Sequence, residues 1–235
     1  MRFFPHDYQR RVIDHIVDNP GCGIFLGMGL GKTSITLSAI QELMYDRFEV
    51  KKVLIVAPKK VAEVTWQDES EKWEDFHGLR FSEILGTKTE RITALSREAD
   101  VYIINRENVV WLAEYYRYRL PFDMLILDES TSFKSAGSKR WRALKKCRGC
   151  FSRVVLLTGT PSPNSLEDLW AQIYLLDGGK RLGRTLTEFR NRYFLPDKRN
   201  GPVVYSYRIK DKEAEEELYR KISDICISLE PQKNN

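Results

Sequence analysis

The chain has 235 residues, of which 42% are apolar and 30% are charged, a balance typical of globular proteins that bury a core. The formal net charge of +5 is compatible with a nucleic-acid partner but does not require one. No run approaches the roughly 20 apolar residues that span a bilayer, and the N-terminus lacks the apolar segment of a signal peptide. We therefore expect a cytoplasmic protein with no membrane partner.

Short apolar runs alternate with longer amphipathic segments along most of the chain. The predicted strands are residues 23–26, 53–57, 101–105, 124–127 and 154–157. The predicted helices are residues 7–17, 32–44, 61–73, 107–116, 138–146 and 166–175. Several strands are continuously apolar, which is typical of strands buried on both faces of a parallel sheet. The pattern predicts an α/β fold with a mostly parallel sheet and helices on both faces, and it fits Rossmann-type and P-loop folds equally.

The pattern changes after residue 176. We expect one domain over residues 1–176, a basic excursion over 177–211, and a C-terminal helix, at about 212–222, with its tail over 212–235. The excursion is rich in arginine and lysine, and Arg190 and Arg192 are its candidate contacts to DNA phosphates. A basic surface that is simply solvated is the alternative interpretation.

A glycine-rich loop links the first predicted strand to the helix predicted over 32–44. It consists of Gly27, Met28, Gly29, Leu30, Gly31, Lys32 and Thr33. Glycines let the backbone turn its N–H groups inward around phosphate oxygens, and the helix N-terminus adds positive charge. We expect Lys32 to reach the β- and γ-phosphates and the Thr33 hydroxyl to bind Mg²⁺. Leu26 stands where the strict P-loop pattern has its outer glycine, but the strand-to-helix context still predicts an ATP site.

Two acids, Asp128 and Glu129, end the apolar run Met124-Leu-Ile-Leu. At the carboxyl end of a buried strand, Asp128 is predicted to face the phosphates and to hold Mg²⁺ directly or through water. Glu129 is then placed to orient and deprotonate the attacking water. In-line attack on a γ-phosphate needs little beyond the metal, these charges and a positioned water. The predicted catalytic residues are Lys32, Asp128 and Glu129.

The order of these motifs resembles that of superfamily 2 motors, and specifically of the SNF2 branch. The loop matches the first motif of that branch, whose forms also lack the outer glycine. Upstream, Phe4-Pro-His-Asp-Tyr-Gln9 is similar to the Q motif, which implies that Gln9 hydrogen-bonds the adenine edge. The resemblance implies a RecA-like P-loop NTPase domain that uses ATP and Mg²⁺.

The remaining motif-like segments imply DNA contacts and a coupling element. The segments that follow the second and third predicted strands resemble motifs Ia and Ib, and their implied DNA contacts are Lys59, Lys60, Asn105 and Arg106. Leu157-Thr-Gly-Thr-Pro161 resembles motif III. The residues there that would link the γ-phosphate site to DNA are Thr158, Gly159 and Thr160.

Motifs IV to VI have no match, so the resemblance implies that a second RecA-like domain, in cis or in trans, supplies the arginine finger. Hydrolysis by this domain alone is therefore expected to be weak. The run Ser132-Phe-Lys134 resembles phage and bacterial members, which implies the cytoplasm of a bacterial or phage-infected cell.

The leading hypothesis is an ATP hydrolase that acts as a DNA translocase, with double-stranded DNA as its partner. Two alternatives remain open. One is a strand-separating helicase or restriction-type motor subunit. The other is an ATP-gated binding module without turnover, against which Glu129 argues because a pure binder needs no base.

Overall fold

A seven-stranded parallel sheet forms the centre of the protein. The computed structural model describes residues 1–159, 165–201 and 203–229. The strands of the sheet lie in the order β3-β4-β2-β5-β6-β1-β9, and each pairs in parallel with its neighbours. Their bounds are β1 Gly21–Leu26, β2 Val53–Ala57, β3 Phe81–Ile84, β4 Val101–Asn105, β5 Met124–Asp128, β6 Arg153–Thr158 and β9 Cys226–Leu229.

Nine α-helices accompany the sheet within the described residues. Their bounds are α1 Asp7–Asp18, α2 Lys32–Gln41, α3 Trp66–Lys72, α4 Lys88–Ser96, α5 Val109–Tyr115, α6 Lys139–Cys147, α7 Asp168–Asp177, α8 Leu186–Tyr193 and α9 Lys212–Ile222. π-Helical turns continue α2 over Glu42–Asp46 and precede α3 over Val61–Thr65. In the part of the chain that the structure describes, no helix combines the length and apolar character needed to cross a bilayer.

The sheet separates two hydrophobic clusters because successive side chains of a strand point to opposite faces. In β2, Leu54 and Val56 pack with α4 to α9, whereas Val53 and Ile55 pack with α1 to α3. Both faces are covered by helices. This explains why the strands read as continuous apolar runs, and it confirms the predicted α/β architecture.

The C-terminal third departs from the predicted elements. Residues predicted as an irregular basic excursion form α8 and then an antiparallel hairpin, β7 Phe194–Asn200 with β8 Val203–Ile209. After α9 the chain returns to the sheet as β9, where the sequence had predicted no strand. Because β9 pairs with β1, this return closes the edge of the sheet beside the glycine-rich loop. The predicted division into three segments stays a prediction.

The topology brings three loops to one place. Strands β5, β6 and β1 are neighbours, and all three run in the same direction. The loops that leave their carboxyl ends therefore meet at one edge of the sheet. These loops carry the glycine-rich segment, the pair of acids and the segment that begins at Thr158.

Candidate functional site

The glycine-rich loop turns tightly from β1 into α2. Gly29 and Gly31 have φ angles of 80° and 77°, in the left-handed region that glycine adopts at little cost. Gly31 is the residue before the first turn of α2. The loop backbone and the helix N-terminus thus lie together at the end of β1, which is the arrangement that binds phosphate groups.

The side chain of Lys32 curls back across its own loop. Its Nζ donates to the carbonyl oxygens of Leu26 at 2.9 Å and Gly27 at 3.3 Å. Thr33 follows in the first turn of α2 and lines the same cavity as Gly29, Gly31 and Lys32. The Lys32 ammonium thus lies against the glycine-rich loop, and the roles of Lys32 and Thr33 in nucleotide binding stay predictions.

The segment before α1 is joined to this loop through Leu30. Gln9 is buried; its Oε1 accepts from the His6 backbone N–H at 2.9 Å, and its Nε2 donates to the Leu30 carbonyl at 3.4 Å. The Tyr8 hydroxyl donates to the same carbonyl at 3.2 Å. The predicted adenine-binding residue is thus fixed against the phosphate-binding loop.

A cavity of about 450 Å³ opens between this N-terminal segment, the loop and α3. Its lining includes Phe4, Gln9, Lys32, Thr33, Lys72 and Trp73. Gln9, predicted to bind adenine, and Lys32, predicted to bind phosphates, are separated in the sequence but line this one concave surface. Trp73 borders the cavity, and its indole N–H donates to Glu69 at 2.7 Å.

Asp128 ends β5 with its carboxylate almost buried. The indole N–H of Trp66 donates to its Oδ2 at 3.0 Å. Burial raises the pKa of Asp128; the Trp66 hydrogen bond opposes the shift, the Glu129 charge adds to it, and the Lys32 ammonium opposes it. Lys32 and Asp128 therefore lie close enough for their charges to interact across the site. Sequence reasoning missed this hydrogen bond from Trp66, a fully buried residue, to the acid.

Glu129 adopts a conformation that is rare for a residue with a side chain. Its φ and ψ angles are 56° and 58°, in the left-handed region, where a non-glycine residue is disfavoured. Strained backbone of this kind persists where the surroundings hold it, often at functional sites. The Thr158 hydroxyl at the end of β6 donates to its Oε1 at 3.2 Å. The predicted base and one predicted coupling residue are thus in direct contact.

The structure adds a buried polar contact behind the two acids that sequence reasoning missed. Ser130 Oγ donates to Gln172 Oε1 at 2.8 Å, and both residues are almost fully buried. This bond ties the loop after Glu129 to α7. Gly159 directly follows Thr158, whereas Thr160, the third predicted coupling residue, lies outside the described residues.

The predicted DNA contacts around β2 and β4 differ in accessibility. Lys59 and Lys60 are exposed beyond the carboxyl end of β2. Asn105 is 7% exposed, and its amide donates to Glu107 at 2.8 Å and accepts from Asn108 at 2.6 Å. Both ends of the Asn105 amide are thus hydrogen-bonded within its own loop, and its assignment to DNA stays a prediction.

Three predicted DNA contacts are arginines with protein partners. Arg106 is half-buried and donates to Ser132 at 2.5 Å, which joins the loop after β4 to the loop after β5. The Arg190 guanidinium donates to Glu167 at 2.7 Å, and Arg192 pairs with Glu217 at 2.6 Å. Their assignment to DNA stays a prediction.

Comparison with known proteins places the chain in a family. Residues 8–229 match the model of the SNF2-related domain. Protein p41 of Acyrthosiphon pisum secondary endosymbiont phage 1 is 42% identical over 198 residues, which cover 82% of this chain and 43% of that protein. DNA excision repair protein ERCC-6-like of Mus musculus is 31% identical over 215 residues, 86% of this chain and 16% of that protein.

A solved structure shows the same fold. The SWI2/SNF2 ATPase core of Sulfolobus solfataricus in complex with dsDNA superposes with a TM-score of 0.81, at 23% identity over 99% of this chain and 46% of that chain. This likeness confirms the predicted RecA-like fold. The chain spans less than half the length of each of these proteins. Because the family model matches nearly the whole chain, the chain belongs to the SNF2-related domain family.

Proposed function

We propose that the chain is the ATP-binding first motor domain of an SNF2-type, ATP-dependent DNA translocase. The observation that carries the proposal is the meeting of three loops at one edge of the sheet. There the Lys32 ammonium acts on the Asp128 carboxylate, and Thr158 hydrogen-bonds Glu129. These are the groups that phosphoryl transfer to water requires: a phosphate-binding lysine, a metal-binding acid and a base.

The residues at this edge fit a magnesium–nucleotide complex. The Thr33 hydroxyl and the Asp128 carboxylate are oxygen ligands of the kind Mg²⁺ prefers. When bound, the ion would supply positive charge beside the phosphates and neutralise charge that develops during transfer. Backbone N–H groups from Gly27 to Gly31 would hold the phosphate oxygens.

We assign the proton and charge steps to side chains of this domain. Lys32 exchanges its two loop carbonyls for the β- and γ-phosphate oxygens and stabilises their charge. Glu129 orients a water molecule and accepts its proton as oxygen attacks the γ-phosphorus. Thr158 holds the Glu129 carboxylate, so a shift of Thr158 at the end of β6 changes the position of the base. Gln9 binds the adenine edge.

DNA and a second domain complete the proposed motor. The family resemblance suggests double-stranded DNA as the substrate track and a second RecA-like domain, in cis or in trans, as the source of an arginine finger. Lys59 and Lys60 are the proposed DNA contacts on this domain that are most accessible. We place the protein in the cytoplasm of a bacterial or phage-infected cell.

The test is ATP hydrolysis by the chain with and without duplex DNA, beside Lys32→Ala and the matched surface variant Lys51→Ala. Because an absent arginine finger costs about 10³–10⁵ in rate in other systems, we expect slow turnover and Mg²⁺-dependent ATP binding. Both should vanish in Lys32→Ala and persist in Lys51→Ala. Retention of ATP binding and turnover in Lys32→Ala would refute the proposed site.

A further inference from the structure

The hairpin of β7 and β8, here called the basic ribbon, presents two unlike faces. One face turns toward the body of the domain. Phe194 pairs with Ile209 and Pro196 with Tyr207; Phe194 is buried, while Tyr207 and Ile209 pack against the core. Cross-strand partners share a face, so these pairs define the inner face of the ribbon.

The opposite face carries three cations. Leu195 pairs with Arg208, Lys198 with Ser206 and Arg199 with Val204; the register shifts on both sides of Lys198, and this bulge allows the adjacent Lys198 and Arg199 to pair on the same face. The exposed Asp197 lies beside them and accepts from the Ser206 hydroxyl at 2.9 Å. Residues 204, 206 and 208 alternate with the inward-facing Tyr207 and Ile209 and therefore project from the outer face. Lys198, Arg199 and Arg208 are exposed, and among residues 1–159, 165–201 and 203–229 none of them forms an ion pair.

Of the two arginines assigned to DNA from the sequence, Arg190 contacts the ribbon and Arg192 joins α8 to α9. The Arg190 guanidinium is bonded to Glu167 and stacks over the Tyr207 ring, 4.4 Å from its centroid. Arg192 pairs with Glu217 of α9. Glu167 directly precedes α7, the helix whose Gln172 binds Ser130 behind the two acids. The ribbon is therefore anchored to the element that contacts the loop of Asp128 and Glu129.

We propose that the outer face of the basic ribbon grips the phosphate backbone of duplex DNA. The inference rests on the proposed function, and it moves the DNA contact of this segment from Arg190 and Arg192 to Lys198, Arg199 and Arg208. At about 3.3 Å per residue, residues 204 to 208 extend about 13 Å, roughly four base-pair steps of the duplex. Cations that are free of acidic partners release counterions on binding phosphates.

The contact is expected to be independent of base sequence. Lysine and arginine on a solvent-facing ribbon bind phosphates whatever the bases are, and phosphate contacts position a protein rather than specify a site. A motor that moves along DNA needs such a contact, because each step places the same residues against a different sequence. Arg190, which stacks over Tyr207, acts as a positioning residue for the ribbon.

Duplex binding by the full chain, measured by fluorescence anisotropy across a salt titration, tests the proposal. The test variant is Lys198→Gln, Arg199→Gln and Arg208→Gln together. The control removes three exposed cations that lie away from the site, Lys51→Gln, Lys88→Gln and Arg97→Gln, so both variants have the same net charge. The plot of log K against log salt has a negative slope, and loss of three phosphate contacts should make that slope less steep by about 2.7.

Between about 50 and about 200 mM salt, the affinity of the unaltered chain should therefore fall about 40-fold more than that of the ribbon variant. The control variant should keep the slope of the unaltered chain. Equal slopes for the ribbon variant and the unaltered chain would overturn the ribbon proposal while leaving the motor proposal standing. An equal loss of slope in the ribbon variant and the control variant would also overturn the ribbon proposal. Failure of the unaltered chain to bind duplex would overturn both.

Photocrosslinking gives a second readout that does not depend on removing charge. Leu195 is 38% exposed and pairs with Arg208 on the outer face, and a benzophenone amino acid at this position should crosslink to duplex DNA at low salt. The same group at Tyr115, 44% exposed on α5, should not. No crosslink from position 195 under conditions of measured DNA binding, or self-association that Val203→Ser abolishes, would identify the ribbon as a protein contact and refute the proposal.

Discussion

Replacing Gly31 with alanine should damage the nucleotide loop more than the same change at Gly29. Both residues have φ angles near 80°, where a Cβ costs about 1–2 kcal/mol. A Cβ at Gly29 would meet nothing within 4 Å, whereas one at Gly31 would lie 2.5 Å from Gln9 Nε2. Gly31→Ala must therefore also displace the amide that joins the N-terminal segment to the loop.

The magnitude follows from the contacts of that amide. Gln9 makes hydrogen bonds to the His6 N–H and the Leu30 carbonyl, and each contributes about 1 kcal/mol. We expect Gly29→Ala to cost about 1–2 kcal/mol of unfolding free energy and Gly31→Ala about 2–4 kcal/mol. The entropy that alanine removes from the unfolded chain is common to both and cancels in the comparison.

The assays are urea and thermal unfolding, for stability, and ATP binding followed by fluorescence. Gly31→Ala should lose ATP affinity and melt about 2–8 °C below Gly29→Ala, given about 2–4 °C per kcal/mol for a chain of this size. In the double variant Gly31→Ala/Gln9→Ala, the new Cβ no longer meets the Gln9 amide. Its loss of unfolding free energy should therefore be about 1 kcal/mol smaller than the sum of the losses in the two single variants. Equal stability of the two glycine variants, or strict additivity in the double variant, would refute the reasoning.

Three further predictions concern the acids and their partners. Glu129→Gln should keep Mg²⁺-dependent ATP affinity within about threefold and lower turnover at least about 100-fold, as isothermal titration and phosphate release would show; lost binding would assign the residue a structural role. Burial raises the pKa of Asp128, so metal-dependent ATP affinity should fall on acidification at a higher pH than for an ordinary carboxyl group. Trp66→Phe removes the hydrogen bond that opposes this shift and should move the fall to still higher pH; an unchanged binding–pH curve would contradict the contact. Thr158→Val should reduce DNA-stimulated turnover more than ATP affinity, and equal effects in paired assays would argue against coupling through Glu129.

The sign of the Asp128 effect on stability is opposite to that of an acid in a salt bridge. Its pKa is higher in the folded chain than in the unfolded chain, so the folded state binds the proton more tightly. The carboxyl therefore favours folding below its ordinary pKa, and that contribution is lost as the pH rises through the raised value. Asp128→Asn should make the unfolding free energy less dependent on pH in this range.

The parallel sheet could be predicted because its central strands are buried on both faces. Val53–Ala57 and Val101–Asn105 have the predicted bounds, since continuous apolar runs mark such strands clearly. β3 and β9 are four residues each and lie at the edges, where one neighbour suffices and the apolar signal is weak. Short edge strands are set by tertiary pairing, which local pattern does not report.

Two helices that the prediction omitted did carry a local signal. Thr87 and Glu90 form a capping box at the start of α4, and Thr185 accepts from the Glu188 N–H at the start of α8. The spacing of a threonine and a glutamate three residues later is visible in the sequence and marks a helix start.

The candidate site residues could be predicted from the sequence, but the residues that hydrogen-bond to them and to their loop could not. Lys32, Asp128 and Glu129 stand out because glycines and apolar runs frame them. The bond from Trp66 to Asp128 joins residues far apart in the sequence, and nothing local distinguishes this tryptophan from any other core residue. The same holds for Ser130 and Gln172, whose meeting depends on how α7 packs against the sheet.

The position of β9 has a consequence for the order in which the protein folds. β1 takes its neighbours, β6 and β9, from far along the chain, and the Gly27 N–H donates to the Leu229 carbonyl at 3.2 Å. During synthesis the residues of the nucleotide loop emerge early, but the last strand that flanks them emerges only after most of the chain. Such long-range pairing is slow, and until it forms β1 is an open edge exposed to other chains. The proposed ATP site needs the completed loop, so ATP would stabilise the finished domain but not its early folding intermediates.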